Sequence, residues 1–278
     1  MFRGPRVRRS SGILQEGGGI LAAPRIGGVG TGAIRWDASG VGLFAGLPPG
    51  IGAGFTTRRS DPGGDSPFPV ARVLAAALGA ADAETVLARQ VHGKAVLRAD
   101  GNVAPGGQLF LGEGDALVTR QRGRLLAVAS ADCVPFVLAD AVSGWIAAVH
   151  AGWRGTAARI LDPVLDLLEG EGVPPGRLVV AVGPAISPDR YEVGPEVARA
   201  LTRAHDGIAV PSSALRPGQG DRWMADVAAF GISVLLARGV LPRSILHADL
   251  CTAADPMFPS YRREGSGTGR ILTGILRL

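Results

Sequence analysis

Three short segments place metal-binding or nucleophilic side chains beside turn residues or at the ends of apolar runs. They are Gln90-Val91-His92-Gly93, Ala131-Asp132-Cys133 and Val149-His150-Ala151-Gly152-Trp153-Arg154-Gly155. Two imidazoles and one thiolate form a ligand set for a zinc ion that keeps one coordination position open, and open zinc sites are catalytic. Each residue alone also has an ordinary reading. A cysteine among apolar neighbours is a small buried hydrophobe, and an isolated histidine is a hydrogen-bonded structural residue. The three lie far apart in sequence, so spacing alone leaves metal binding open. Cys133 and His150 would equally serve as a nucleophile and its base.

Arginines form a second constellation. Arg58 follows a predicted strand, Arg154 opens a predicted helix, and Arg262 and Arg263 stand in Ser260-Tyr261-Arg262-Arg263-Glu264-Gly265. The rigid guanidinium fork suits phosphate or carboxylate. Residues 265–270, Gly-Ser-Gly-Thr-Gly-Arg, could add backbone N–H groups to an anion. They lack the spacing and the lysine of a Walker motif. Paired arginines are also commonly solvated or salt-bridged.

These residues need a scaffold. Apolar runs of strand length cover 85–91, 116–119, 125–129, 134–138 and 146–149, and they lie too close together for strict strand–helix alternation. Hairpins in a mixed sheet are expected. His92, Cys133 and His150 all fall at the ends of such runs, where catalytic groups can converge on one sheet edge. Helices are predicted over 70–78, 156–168, 194–204 and 224–237, with Pro163 kinking or breaking the second. Further strands are expected at 54–57, 178–182, 245–248 and 270–276, and 59–69 reads as a loop.

The chain has 278 residues, 46% of them hydrophobic and 19% charged, enough for a substantial core. No run approaches the length of a membrane span. The basic N-terminus lacks the apolar stretch of a signal peptide, so the expected compartment is the cytoplasm. Two cysteines, Cys133 and Cys251, are too few for a disulfide framework. Residues 1–35 hold six arginines and one glutamate, and the remaining basic and acidic residues balance at 23 each. The net charge of +5 therefore belongs to the N-terminal segment, and specific nucleic-acid binding by the folded part is not expected. Residues 1–31, Gly- and Arg-rich without apolar period, read as a disordered tail, with a single domain over 35–278.

Taken together, the motifs are recognisable. The chain resembles the YfiH-like family, also called the laccase-domain or polyphenol-oxidase family and related to purine nucleoside phosphorylases of the FAMIN type. The resemblance rests on Phe55-Thr56-Thr57-Arg58, Gln90-Val91-His92-Gly93, Asp115-Ala116-Leu117-Val118-Thr119, Ala131-Asp132-Cys133-Val134-Pro135 and His150-Ala151-Gly152-Trp153-Arg154-Gly155. Gly183-Pro184-Ala185-Ile186, Tyr191-Glu192-Val193-Gly194, Asp249-Leu250-Cys251-Thr252 and Ser260-Tyr261-Arg262-Arg263 follow in order.

The resemblance implies an α/β fold, a four-layer α/β/β/α sandwich with mixed sheets. It implies a zinc site at His92, Cys133 and His150. It also implies phosphorolysis of adenosine, inosine, guanosine and methylthioadenosine, with adenosine deamination. Asp132, beside the thiolate, would orient a neighbouring group in the catalytic set. Gln90, Arg58, Arg154, Arg262 and Arg263 are the candidate substrate and phosphate residues. Two alternatives stand beside this. One is a cysteine-dependent amide hydrolase, as in peptidoglycan-precursor editing. The other is the copper-dependent phenol oxidation of the older family label. Four histidines cannot supply a multicopper cluster, although one His₂Cys site could take a single copper. Two segments depart from the family pattern: 59–67, and Asp189-Arg190 before Tyr191.

Overall fold

A computed structural model describes residues 29–61, 66–101 and 107–278. In chain order these form β1 (Gly30–Thr31), β2 (Ile34–Trp36), β3 (Gly42–Phe44), β4 (Ile51–Phe55), α1 (Phe68–Ala77), β5 (Glu84–Arg89), β6 (Val96–Arg98), β7 (Gln108–Glu113), β8 (Ala116–Thr119), β9 (Arg124–Ser130), β10 (Val134–Ala139) and β11 (Ile146–Ala151). There follow α2 (Trp153–Ala157), α3 (Leu161–Gly170), β12 (Val179–Val182), β13 (Glu192–Val193), α4 (Pro195–Ala204), β14 (Leu215–Pro217), β15 (Trp223–Ala225), α5 (Val227–Ala237), β16 (Ile245–His247), α6 (Tyr261–Glu264) and β17 (Ile271–Arg277).

Two seven-stranded sheets carry the fold. One runs β1-β16-β12-β10-β11-β8-β6 and the other β2-β3-β4-β17-β9-β5-β7. Both are mixed. In the first, β1, β16 and β12 pair in parallel while β12-β10-β11-β8 are antiparallel. Every residue of β8, β10 and β11 is buried, because both faces of that sheet are covered. This is why these segments read as continuous apolar runs without alternation.

The core clusters give the stacking order. Leu74 and Ala71 of α1 pack with Leu87, Leu125 and Leu272 on one face of the second sheet. Its other face shares a cluster with the first sheet, where Phe55, Leu126 and Ile275 meet Leu117, Val137 and Ile146. On the far face of the first sheet, Phe136, Val149 and Val180 pack against α3 through Val164 and Leu165 and against α5 through Ile232 and Leu235. A three-stranded sheet, β13-β15-β14, sits with α4 over a smaller cluster.

Several expectations change. Gly30–Thr31, within the expected tail, pairs in parallel with Leu246 and His247. The expected tail otherwise lies outside the described residues, as does 62–65 of the expected loop. The helix over 156–168 is broken, one of the two outcomes expected from Pro163, but the break falls ahead of the proline. The chain breaks at 158–160, with Arg159 at φ 59°. Pro163 then falls in the first turn of α3, where its missing N–H has no helical acceptor to satisfy. The helix expected from 224 begins at Val227, because Trp223–Ala225 pairs as a strand. Asp226 caps the helix by accepting from the Ala229 N–H at 2.9 Å. Strands β6 and β7 were not predicted: β6 is three residues long, and β7 alternates weakly at an exposed sheet edge.

Candidate metal centre

Two of the three predicted ligands lie on links between the two sheets and the third within a strand. His92 follows β5 of the second sheet. Cys133 lies in the link by which the chain leaves β9 of the second sheet and enters β10 of the first. His150 sits in β11, opposite Pro135. Their ligand atoms all lie within 4.8 Å of one another. His92 Nε2 is 4.0 Å from Cys133 Sγ, and the two imidazole rings meet edge-on with centroids 4.9 Å apart. His150 is buried, Cys133 is half-buried and His92 is exposed, so the group opens to solvent on the His92 side.

Backbone geometry holds this convergence. His92 has φ 59° and Asp132 has φ 93°, left-handed conformations that non-glycine residues adopt at a cost. Gly152 is the other requirement. A Cβ there would stand 2.9 Å from Cys133 Sγ and 3.0 Å from the His92 ring, so only glycine leaves room for both.

Asp115 organises the ligands and was missing from the predicted set. Its buried carboxylate lies 2.9 Å from His150 Nδ1, which leaves Nε2 for a ligand. It also accepts the backbone N–H groups of Val91, His92 and Gly93 at 3.1, 3.0 and 2.8 Å. One carboxylate thus orients one imidazole and shapes the loop carrying the other. Burial opposes its charge, but hydrogen bonds from His150 and from the Gly93 and Val91 amides outweigh burial and hold Asp115 below the usual carboxylate range. A carboxylate bonded to the far nitrogen of a histidine is the arrangement that fixes the tautomer of a metal ligand. In sequence, Asp115 looks like an ordinary turn residue before β8.

The electrostatics fit a cation. Burial disfavours the Cys133 thiolate, yet His150 and then His92 bring its pKa down to about 7. Burial likewise opposes a charged His150, while Asp115 and Cys133 push its pKa up to about 9. A buried, negatively biased thiol–carboxylate environment holding two imidazoles suits a borderline-soft divalent ion. The donor set and the glycine cradle both accommodate one.

The other predicted residues divide. The Asp132 carboxylate faces away from a ligand role: it accepts the Thr252 hydroxyl and the Arg262 backbone N–H, both at 2.6 Å, tying two distant segments to the Cys133 loop. The Gln90 side chain bonds both ways to the Ala129 backbone at 2.7 Å, acting as an extra rung between β5 and β9. Arg58 pairs with Glu264 at 2.5 Å and donates to Pro256 O. Arg263 donates to the carbonyls of Thr252, Asp255 and Phe258 and to Glu264. Thr268, in the Gly-rich segment, donates to Glu264 as well. Arg154 lies over the Trp153 ring at 4.4 Å, and Arg262 over the Tyr191 ring at 4.9 Å. A surface cavity of about 640 Å³ lies off the ligand group, lined by Lys94, Arg159, Asp162 and Asp166, and contains none of the three ligands.

Comparison with known proteins gives a consistent picture. A family model described as multi-copper polyphenol oxidoreductase laccase matches residues 63–278. The chain is 40% identical over 227 residues to a purine nucleoside phosphorylase of Deinococcus radiodurans, covering 80% of this chain and 83% of that one. It is 39% identical over 164 residues to the adenosine deaminase RL5 of an unknown prokaryotic organism, covering 59% of this chain and 62% of that enzyme. Among solved structures, YfiH of Bacillus licheniformis superposes with a TM-score of 0.77 at 25% identity, and YlmD of Geobacillus stearothermophilus with 0.75 at 29%. Each covers 88% of this chain and 99% of the solved one.

Proposed function

The chain belongs to this laccase-domain family, and from that premise we propose that it is a metal-dependent purine nucleoside phosphorylase that also deaminates adenosine. The observation that carries the reading is the convergence of His92, Cys133 and His150 on one point under the control of Asp115. The names of the two relatives support the reactions. The donor set favours zinc. When bound, the metal would supply Lewis acidity toward water or a substrate oxygen.

The protein's own residues would do the rest. Asp115 holds His150 in one tautomer, so the imidazole presents Nε2 without reorganisation. Tyr191 stays a hydrogen-bond donor at neutral pH: burial, then the nearby Cys133, pushes its hydroxyl up to about 12. In phosphorolysis a phosphate oxygen forms a bond to the ribose C1′ as the bond to the base breaks, and the departing base takes a proton. In deamination water adds at C6 of adenine and ammonia leaves. Adenosine, inosine, guanosine and methylthioadenosine share the ribose–purine bond that the first reaction needs.

Multicopper oxidation lacks ligands. His205 bonds Leu201 O through Nδ1 and packs edge-on to Phe230, and the His247 Nδ1 accepts the Asp249 N–H. Neither joins the ligand group. One observation favours a second reading, the cysteine amide hydrolase: a thiol brought down to about 7 beside an imidazole is also what a nucleophile needs. Product analysis separates the readings. With adenosine and phosphate, the nucleoside enzyme yields adenine and ribose 1-phosphate, and without phosphate it yields inosine and ammonia. Turnover of neither kind refutes it.

A further inference from the structure

Phosphorolysis needs a place for a dianion next to the ligand group, and the described arginines near it are not equivalent. Arg263 uses its Nε and both Nη atoms on three carbonyls and Glu264. Arg58 is neutralised by both carboxylate oxygens of Glu264 at 2.5 Å and donates its Nε to Pro256 O. Glu264 therefore sits between these two guanidinium groups as an internal counter-ion. An incoming phosphate would have to displace it or lie beside its charge.

Arg154 and Arg262 differ on each point. Arg154 is exposed, and its contact is the face of Trp153. Arg262 stacks on Tyr191 and gives Nη1 to Glu192 O at 2.9 Å, which leaves Nε and Nη2 outside that bond. A guanidinium stacked by its face keeps its N–H edge pointed outward, the geometry that grips two oxygens of a phosphate. Trp153 and Tyr191 pack against the same two core clusters.

Both arginines are also fixed to the ligand group. Arg154 stands two residues after Gly152, whose Cα faces Cys133 Sγ and the His92 ring. The backbone N–H of Arg262 is held at 2.6 Å by Asp132, the residue before Cys133.

We propose that inorganic phosphate is bound beside the ligand group by Arg154 and Arg262, each held by its aromatic stack, and that Arg58 and Arg263 are structural clamps. This rests on the phosphorylase reading for its purpose but is testable apart from it. The experiment is titration calorimetry of inorganic phosphate into the purified protein, with phosphate KM in adenosine phosphorolysis measured in parallel, on wild type, R154Q, R262Q, R262K and R58Q. R154Q breaks no side-chain hydrogen bond among the described residues, so it is the informative variant. R262K keeps the charge and serves if R262Q fails to fold.

R154Q and the Arg262 variant are expected to weaken phosphate about tenfold or more in both Kd and KM, with adenosine KM moving far less. R58Q is expected to lower Tm and to leave phosphate affinity near wild type. Wild-type phosphate binding lost in R154Q, without phosphorolysis in any form, would uphold the subsite and refute the phosphorylase reading. Phosphorolysis with unchanged phosphate KM in R154Q, an equal loss in R58Q, or no phosphate binding by wild type would overturn the subsite.

Discussion

Asp115 is the residue on which the site turns. Its carboxylate orients His150 through Nδ1 and fixes the 91–93 amides, so it controls two of three ligands at once. Asp115→Asn keeps the size and removes the charge. It is expected to weaken metal affinity about 10–100-fold, read by competition with a chelator. The Cys133 thiol gives a pH-dependent check. In metal-free protein its pKa lies near 7, so iodoacetamide alkylation should rise through pH 7. An ordinary thiol would titrate near 8.5. Bound metal should protect it. The convergence of His92, Cys133 and His150 followed from the family resemblance, since residue type at a strand end by itself left it open. Asp115 was not legible, since an aspartate before a strand looks like any turn. Nor were the separate duties of four arginines, which depend on partners up to about 200 positions away in sequence, such as Arg58 with Glu264.

At the level of elements, paired glycines decide how α1 meets the second sheet. Gly54 of β4 lies opposite Gly274 of β17 in register. A Cβ on Gly274 would come within 2.9 Å of Leu125 Cδ1 and Leu126 O and 3.1 Å of Leu74 Cδ2. The glycine pair is the floor on which Leu74 of α1 rests, and Leu74 is fully buried. Gly274→Ala is expected to destabilise the fold by about 1–3 kcal/mol through overpacking, measured by urea unfolding, while metal stoichiometry stays at the wild-type value. The strands and helices themselves were largely legible, because runs such as 134–138 and the spacing of Val70, Val73, Leu74 and Leu78 are local patterns. Their partners were not. Strand order across two sheets, the weak edge strand β7 and the position of the break before α3 all depend on tertiary pairing or on where one proline can be tolerated.

Across the whole molecule, the ligand group joins the two sheets: His92 leaves one, His150 belongs to the other, and Cys133 lies on the link between them. A metal there binds the folded chain and not the unfolded one, so it adds stability that grows with its concentration, about 4 kcal/mol at a thousand times Kd. Chelation is therefore expected to lower Tm in wild type and to leave Cys133→Ala unmoved, by calorimetry with and without chelator. The most direct test of the account is metal stoichiometry by elemental analysis, with phosphate-dependent adenosine turnover measured on the same samples of wild type and Cys133→Ala. The account predicts one equivalent of metal per wild-type chain with adenine formed, and loss of both in the variant. Metal-free, active wild-type protein, or a variant that turns over adenosine without metal, would contradict it.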